Sequence, residues 1–359
     1  MSYKFAHIGS YNRNLGDNIA LLNVRNEFNK YVNNIEWISL DINDIFWAQN
    51  NNPQFTINFI NKHNLDGLVI GGGGLIEYKG YQHHHTHYKL PFNKEILTSL
   101  NCPTFFVGIG INYFREKEGF SPKATQSFKE TIEYSSCFSL RNDGSINKLK
   151  ELKLYTDKVK EIPDPGLIID DLQEVFYTKH ENYIQPAFNN PSKNINIKRY
   201  KSKDNILKLV NFANNNKLIS LPHTPKDFNY FKSFAFEQKL AKKYLKFENT
   251  KSTCLEFYPK MKSIIALRGH GQLISIGYNI PGIYLSTQDK VRDFSLLNGF
   301  IDYNIDINEN NWYKKLNEKF NMITKDSSYI EEWHKIRDKN IPKWKHQFKS
   351  FILKCKKYL

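Results

Sequence analysis

Along this chain, short and mostly apolar runs alternate with longer stretches whose apolar residues recur at helical spacing. The runs at residues 4–8, 34–40, 65–70, 103–111 and 137–140 read as strands of a buried parallel sheet. Residues 18–29, 55–63, 126–136 and 145–153 read as the helices between them. A second series follows, with helices at 204–214, 230–243, 252–260, 272–278 and 291–298. Its strands are at 217–221, 244–247, 264–267, 280–285 and near residue 301. Residues 171–203 lack periodicity and are rich in Asn, Lys and Pro, as a linker would be. Residues 312–320 and 329–359 read as basic helices, with Pro342 expected to break the second. The βα rhythm of both halves predicts an α/β protein of two Rossmann-like doubly wound domains facing a cleft. The expected division is 1–175, 204–305 and a basic helical tail at 306–359.

In such sheets ligands gather outside the carboxyl ends of the strands, so the residues there carry the candidate chemistry. After the first strand, Gly16-Asp17 opens a helix; Asp17 reads as its N-cap or as the group that holds a substrate hydroxyl. After the third come four glycines, Gly71 to Gly74, of which Gly72, Gly73 and Gly74 are read as a substrate-facing loop. The pattern is neither GxGxxG nor a Walker loop and supports no dinucleotide. The strand ending at Leu140 delivers Arg141, and the strand ending at Leu267 delivers Arg268-Gly269-His270 at a helix N-terminus. There Arg268 and His270 are either a surface charge and a cap, or ligands for an anion. His83, His84, His85 and His87 have no carboxylate or cysteine at ligand spacing, and are expected in an exposed loop bordering the cleft.

Composition narrows the setting. With 359 residues, 40% apolar and 14% aromatic, the chain has enough material for two cores. The net charge of +15 comes from lysines dispersed among Asn and Ile, so it carries no specific argument for nucleic acid, and none is expected as a partner. Cys102, Cys137, Cys254 and Cys355 form no CxxC pair and suggest neither zinc nor a disulfide framework. No apolar leader opens the sequence, and the uncharged runs 96–114 and 271–288 are interrupted by Pro, Asn and Gly. A cytoplasmic protein is expected, held at most peripherally at a membrane. That contact would fall to the last segment, where Trp344, Phe348, Phe351 and Ile352 share one face among lysines, the composition of an interfacial helix.

Taken in order, Gly16-Asp17, Gly71 to Gly74, Gly108-Ile109-Gly110, Ser139-Leu140-Arg141 with Ser145, Asp164-Pro165, and Arg268-Gly269-His270 followed by Pro281 and Lys290 resemble the polysaccharide pyruvyl transferase family over roughly residues 5–305. One departure is that Arg141 is followed by Asn142, with the acid displaced to Asp143. The resemblance implies two Rossmann-like domains, as in two-domain glycosyltransferases. It also implies transfer of pyruvate from phosphoenolpyruvate to two hydroxyls of a sugar or lipid-linked glycan acceptor, with no cofactor and no metal. Carried onto this chain, it makes Arg141, Arg268 and Lys290 the donor-binding residues, His270 a phosphate ligand or acid, and Asp17 the group that orients or deprotonates the acceptor. A carboxylate and a phosphate on one small donor suit arginine forks.

Two other readings compete. A nucleotide-sugar glycosyltransferase of the same architecture needs a carboxylate for the ribose, for which Glu256 is the candidate. A non-catalytic binder of anionic polymer would rely on the basic tail instead.

Overall fold

Strands that carry apolar side chains on both faces must be covered on both, and this dictates the layers of the computed structural model. It describes residues 2–11, 14–44, 52–77, 81, 84–111, 120–169, 181–185, 203–224, 227 and 257–359. The chain divides into two compact units. The first comprises residues 1–13, 17–168 and 342–359; the second comprises 14–16 and 169–341. Expected helix 230–243 and strand 244–247, Glu256, His83 and Cys254 lie outside the described residues.

The first unit is built on six parallel strands: β1 (Tyr3–Gly9), β2 (Ile35–Asp41), β3 (Gly67–Gly71), β4 (Thr104–Ile109), β5 (Cys137–Arg141) and β6 (Val159–Ile162). Their order is β2-β1-β3-β4-β5-β6. Between them run α1 (Leu15–Tyr31), α2 (Pro53–Asn61), α3 (Lys94–Ser99), α4 (Pro122–Tyr134) and α5 (Ser145–Glu151). Proline at the first turn and a capping side chain set two of the starts. Asn52 accepts from Gln54 N at 3.0 Å, and Ser121 from Ala124 N at 3.2 Å. Every residue of β3, β4 and β5 is buried, as their apolar runs predict. The edge strand β6 escapes the sequence reading because its VKEI offers only two buried residues.

The second unit carries β7 (Glu181–Gln185), β8 (Ile219–Ser220), β9 (Met261–Ala266), β10 (Gly282–Ser286) and β11 (Asn304–Asp306), in the order β11-β10-β9-β7-β8. All pairs are parallel. Its helices include α6 (Lys203–Asn215), α7 (Gly269–Gly277), α8 (Asp289–Leu297) and α9 (Trp312–Lys325). Strand β7 falls inside the stretch read as linker. Its ENYIQ is too short and polar to stand out, and its place comes from pairing with β9 on one side and β8 on the other.

The terminal helix α10 (Ser327–Lys356) runs through Pro342 without the expected break. Loss of one intrahelical hydrogen bond and a clash in the preceding turn cost about 3 kcal/mol, less than the burial that keeps the helix in place. Before the proline, Trp333 is fully buried in the second unit with its indole N–H on the Tyr284 hydroxyl at 3.2 Å. After it, Trp344, Phe348, Phe351 and Ile352 are buried in the first unit, each contributing about 1.5–3 kcal/mol. The apolar face that the sequence offered to a membrane is thus spent on the protein's own core. No helix among the described residues is long and apolar enough to cross a membrane. The histidine loop is likewise packed rather than exposed: His84, Thr86 and Tyr88 are buried. Among the described residues no group of three or more His, Cys, Asp or Glu could hold a metal ion.

Candidate functional site

Each unit gathers its chemistry at the carboxyl ends of its strands. In the first, β5 ends on Arg141, whose guanidinium is 2% exposed and gripped by two carboxylates. Nε donates to Asp143 at 2.5 Å and Nη1 to Asp164 at 2.9 Å. These partners offset the burial and push the guanidinium pKa above its ordinary value. Asp143 also accepts from the Ser145 hydroxyl and backbone N–H at the start of α5. Asp164 accepts from Gly166 N at 2.8 Å, and its own N–H is held by the Asn142 side chain at 3.1 Å. The displaced acid and the intervening Asn142 therefore both have work: one pairs Arg141, the other fixes the Asp164 turn.

The glycines around this cluster are explained by close approach. Gly108 adopts φ +57 at an irregularity in the β4–β5 pairing, with Pro165 against it. Gly110 lies flat on the Arg141 guanidinium, where any Cβ would collide with it. In the four-glycine run, Gly71 has the Val107 carbonyl where a Cβ would go, and Gly72, at φ +79, touches the backbone of α1. Gly73 is different: a Cβ there would come within 3.2 Å of an Asp17 carboxylate oxygen. Gly73 O also accepts from Gly110 N at 3.0 Å. Sheet and helix packing thus account for Gly71 and Gly72, while Gly73 joins the loop to Asp17. Asp17 is no N-cap, since α1 starts at Leu15 and the carboxylate sits within the first turn, where the helix dipole favours it. It acts electrostatically on Arg141.

In the second unit, β9 delivers Arg268, which occupies the N-cap position of α7 with extended backbone. Its guanidinium is held by Asp227 in a bidentate pair, Nε to Oδ2 at 2.8 Å and Nη2 to Oδ1 at 2.7 Å. Asp227 is fully buried and Arg268 partly exposed. Such a fork fixes the arginine plane. His270 follows in the first turn of α7, and the Lys290 side chain passes close to Gly269, with Cε 3.6 Å from where a Cβ there would be. Arg268, His270 and Lys290 are therefore neighbours at one helix N-terminus, where anions are favoured.

Gly16, which belongs to the same unit, packs directly on the His270 side chain. An alanine there would drive its methyl into the His270 Cβ and ring. Gly16→Ala is expected to displace His270, lowering activity at least tenfold and stability by the about 1–3 kcal/mol of an overpacked contact, as steady-state rates and a urea midpoint on the same sample will report. A misplacement of about 1 Å at a site is worth up to two orders of magnitude in rate.

Sequence reasoning missed Asp227 and His223 as parts of this site. Both lie in one turn, where Asp227 N donates to the Thr224 hydroxyl at 3.2 Å. His223 is buried, with Nε2 2.8 Å from the Tyr258 hydroxyl, and its carbonyl accepts from Leu15 N at 3.2 Å. An acid four residues from a histidine in a Pro-flanked turn was the available signal, but nothing local shows that the acid reaches an arginine forty-one positions away.

Burial, followed by the charges of Arg268 and His270, holds His223 well below the ordinary histidine range. Burial and the Arg25 guanidinium push His7 down to about 3. Both are neutral in the folded protein, while the unfolded chain takes up protons below about pH 6.5. Their contribution to stability is therefore complete above that pH and is lost as pH falls toward the folded-state values. The expected slope is about 1.4 kcal/mol per pH unit for each buried ring. Urea midpoints at pH 7 and pH 5 will measure it, and His223→Gln should flatten the dependence.

Comparison with known proteins agrees with this architecture. Residues 14–289 match the family described as polysaccharide pyruvyl transferase. No curated protein matches. Among solved structures, S. aureus MnaA with UDP is similar with TM-score 0.59 and 11% identity, over 94% of this chain and 91% of that one. A putative UDP-N-acetylglucosamine 2-epimerase from Listeria monocytogenes gives 0.58 and 10%, over 93% and 90%. The UDP-GlcNAc 2-epimerase of Neisseria meningitidis gives 0.54 and 12%, over 92% and 94%. At these identities the likeness concerns the fold, two Rossmann-like parallel-sheet domains. The match spans Asp17, the glycine loop, Arg141 and the Arg268-Gly269-His270 turn, so the chain belongs to the polysaccharide pyruvyl transferase family and is a transferase.

Proposed function

We propose that the protein transfers a pyruvyl group from phosphoenolpyruvate to two hydroxyls of a sugar in a polysaccharide or glycan precursor, leaving a cyclic ketal and releasing phosphate. The observation that carries this reading is the arginine fork held rigid by buried Asp227, beside His270 and Lys290 at the start of α7. The donor bears a carboxylate and a phosphate, and three cationic or protonatable groups at a helix N-terminus complement them.

In this reading Arg268 and Lys290 bind the two anionic groups. His270 is assigned to deliver a proton to C3 of the enol. C2 then becomes electrophilic; one sugar hydroxyl adds to it, and the second displaces phosphate. Each hydroxyl gives up its proton as its C–O bond forms, and Asp17, beside Gly73, is assigned to orient or accept from the acceptor. Arg141 is assigned to donor binding by its match to the family's order of residues. Phosphate departure is assisted by the same fixed cations.

The test is incubation with phosphoenolpyruvate and a panel of galactosides, mannosides and N-acetylhexosamines. Phosphate release together with a product carrying the pyruvyl ketal is the expected result. Thermal stabilisation by UDP or CMP sugars, with none by phosphoenolpyruvate, would replace this reading with glycosyl transfer.

A further inference from the structure

Cys137 and Cys355 stand more than two hundred positions apart, and the fold brings them together within the first unit. Cys137 opens β5 in register with Phe105 of β4, so the two side chains project from the same face of the sheet. On that face the Phe105 ring meets Tyr358, with centroids 6.5 Å apart at 65°. Tyr358 N donates to the Cys355 carbonyl at 3.1 Å, which places Cys355 one turn back from the ring covering Cys137's strand neighbour. Both thiols are free and both residues are fully buried. A hydrogen bond from Cys355, helped by the charges of Lys354 and Lys158, holds the Cys137 thiol below its ordinary range, while burial and the Cys137 thiolate push the Cys355 thiol above its own, so Cys137 is the first to attack. Cys102, by contrast, is pushed up to about 11 by burial.

We propose that Cys137 and Cys355 form a thiol-oxidation site, at which a small-molecule disulfide converts the pair into an internal disulfide that clips the last turn of α10 to β5. One protein thiolate attacks the small disulfide, breaking its S–S bond, forming a mixed disulfide and expelling one thiol. The second protein thiolate attacks the protein-bound sulfur and expels the other. Two electrons pass to the reagent, which leaves as two thiols, and one protein S–S bond is gained. Access needs only the last helical turn to open, where Leu353 and Tyr358 are already exposed. The clip lies at the amino end of the five-residue strand whose other end carries Arg141, so it ties down the helix without touching the site.

The experiment exposes the full chain, under native conditions, to oxidised glutathione, then alkylates the remaining thiols and maps the peptides. The expected result is an intact-mass loss of two hydrogens and a cross-linked pair of peptides containing 137 and 355. Closing so long a loop should raise Tm by about 5–10 °C, reversed by dithiothreitol and absent in Cys355→Ser. Alkylation of both residues after oxidation, a persistent glutathione adduct, or a bond to Cys102 or Cys254 instead would overturn the proposal. The wild-type map decides this even if the variant fails to fold.

Discussion

Arg268→Ala is expected to lower kcat/KM for phosphoenolpyruvate by about 100- to 10,000-fold, the largest effect of any single change in the second unit. A charge-assisted hydrogen bond is worth about 1.5–3 kcal/mol, and a fork makes two of them. Removing the guanidinium also leaves Asp227 buried with no arginine on either oxygen, and a bare carboxylate repels an incoming dianion. Three comparisons separate these contributions. Arg268→Lys keeps the charge but loses the bidentate geometry and should fall between the parent and alanine. Asp227→Asn should loosen Arg268 and raise KM more than it lowers kcat. In the double variant, Asp227→Asn should recover part of what Arg268→Ala loses, and that non-additivity measures the cost of the unpaired acid. Donor binding measured by calorimetry should follow the same order. An Arg268→Ala protein with undiminished transfer would place the donor elsewhere.

Arg141→Met should act first on stability, with a loss of about 3–5 kcal/mol. Asp143 and Asp164 are 5% and 1% exposed, and each uses the guanidinium as its counter-ion. Without it, two like charges share a buried space. The loss should appear as a lower urea midpoint with an unchanged slope. Adding Asp164→Asn, which removes one of the two charges, should restore part of it. Activity of the folded fraction should also fall, because Gly110 and the Gly73 carbonyl are stacked in sequence on this cluster.

These two arginines show how far the linear reading reached. It placed both correctly at strand ends, because a short apolar run followed by a polar turn and helical spacing is a local pattern. It did not anticipate that each is held by carboxylates, Asp143 and Asp164 for one and Asp227 for the other. It offered Asp17 as a helix cap or as the holder of a substrate hydroxyl, and the cap reading fails because the helix begins two residues earlier. It treated the four glycines as one loop, whereas Gly71 and Gly72 are required by β4 and α1 and Gly73 adjoins Asp17.

The amino-acid sequence by itself determined the layered α/β class, most of the strands and helices, and the family-like order of residues at the strand ends. Those features are written in apolar period and turn chemistry over a few neighbouring positions. Only the tertiary structure decided that ENYIQ is a strand in the second sheet, that α10 continues through Pro342, that the Trp344 face is core, and that Asp227 belongs to Arg268 and Tyr358 to Phe105. In each case the deciding energy is a burial or pairing between residues far apart in the chain, which no local window contains.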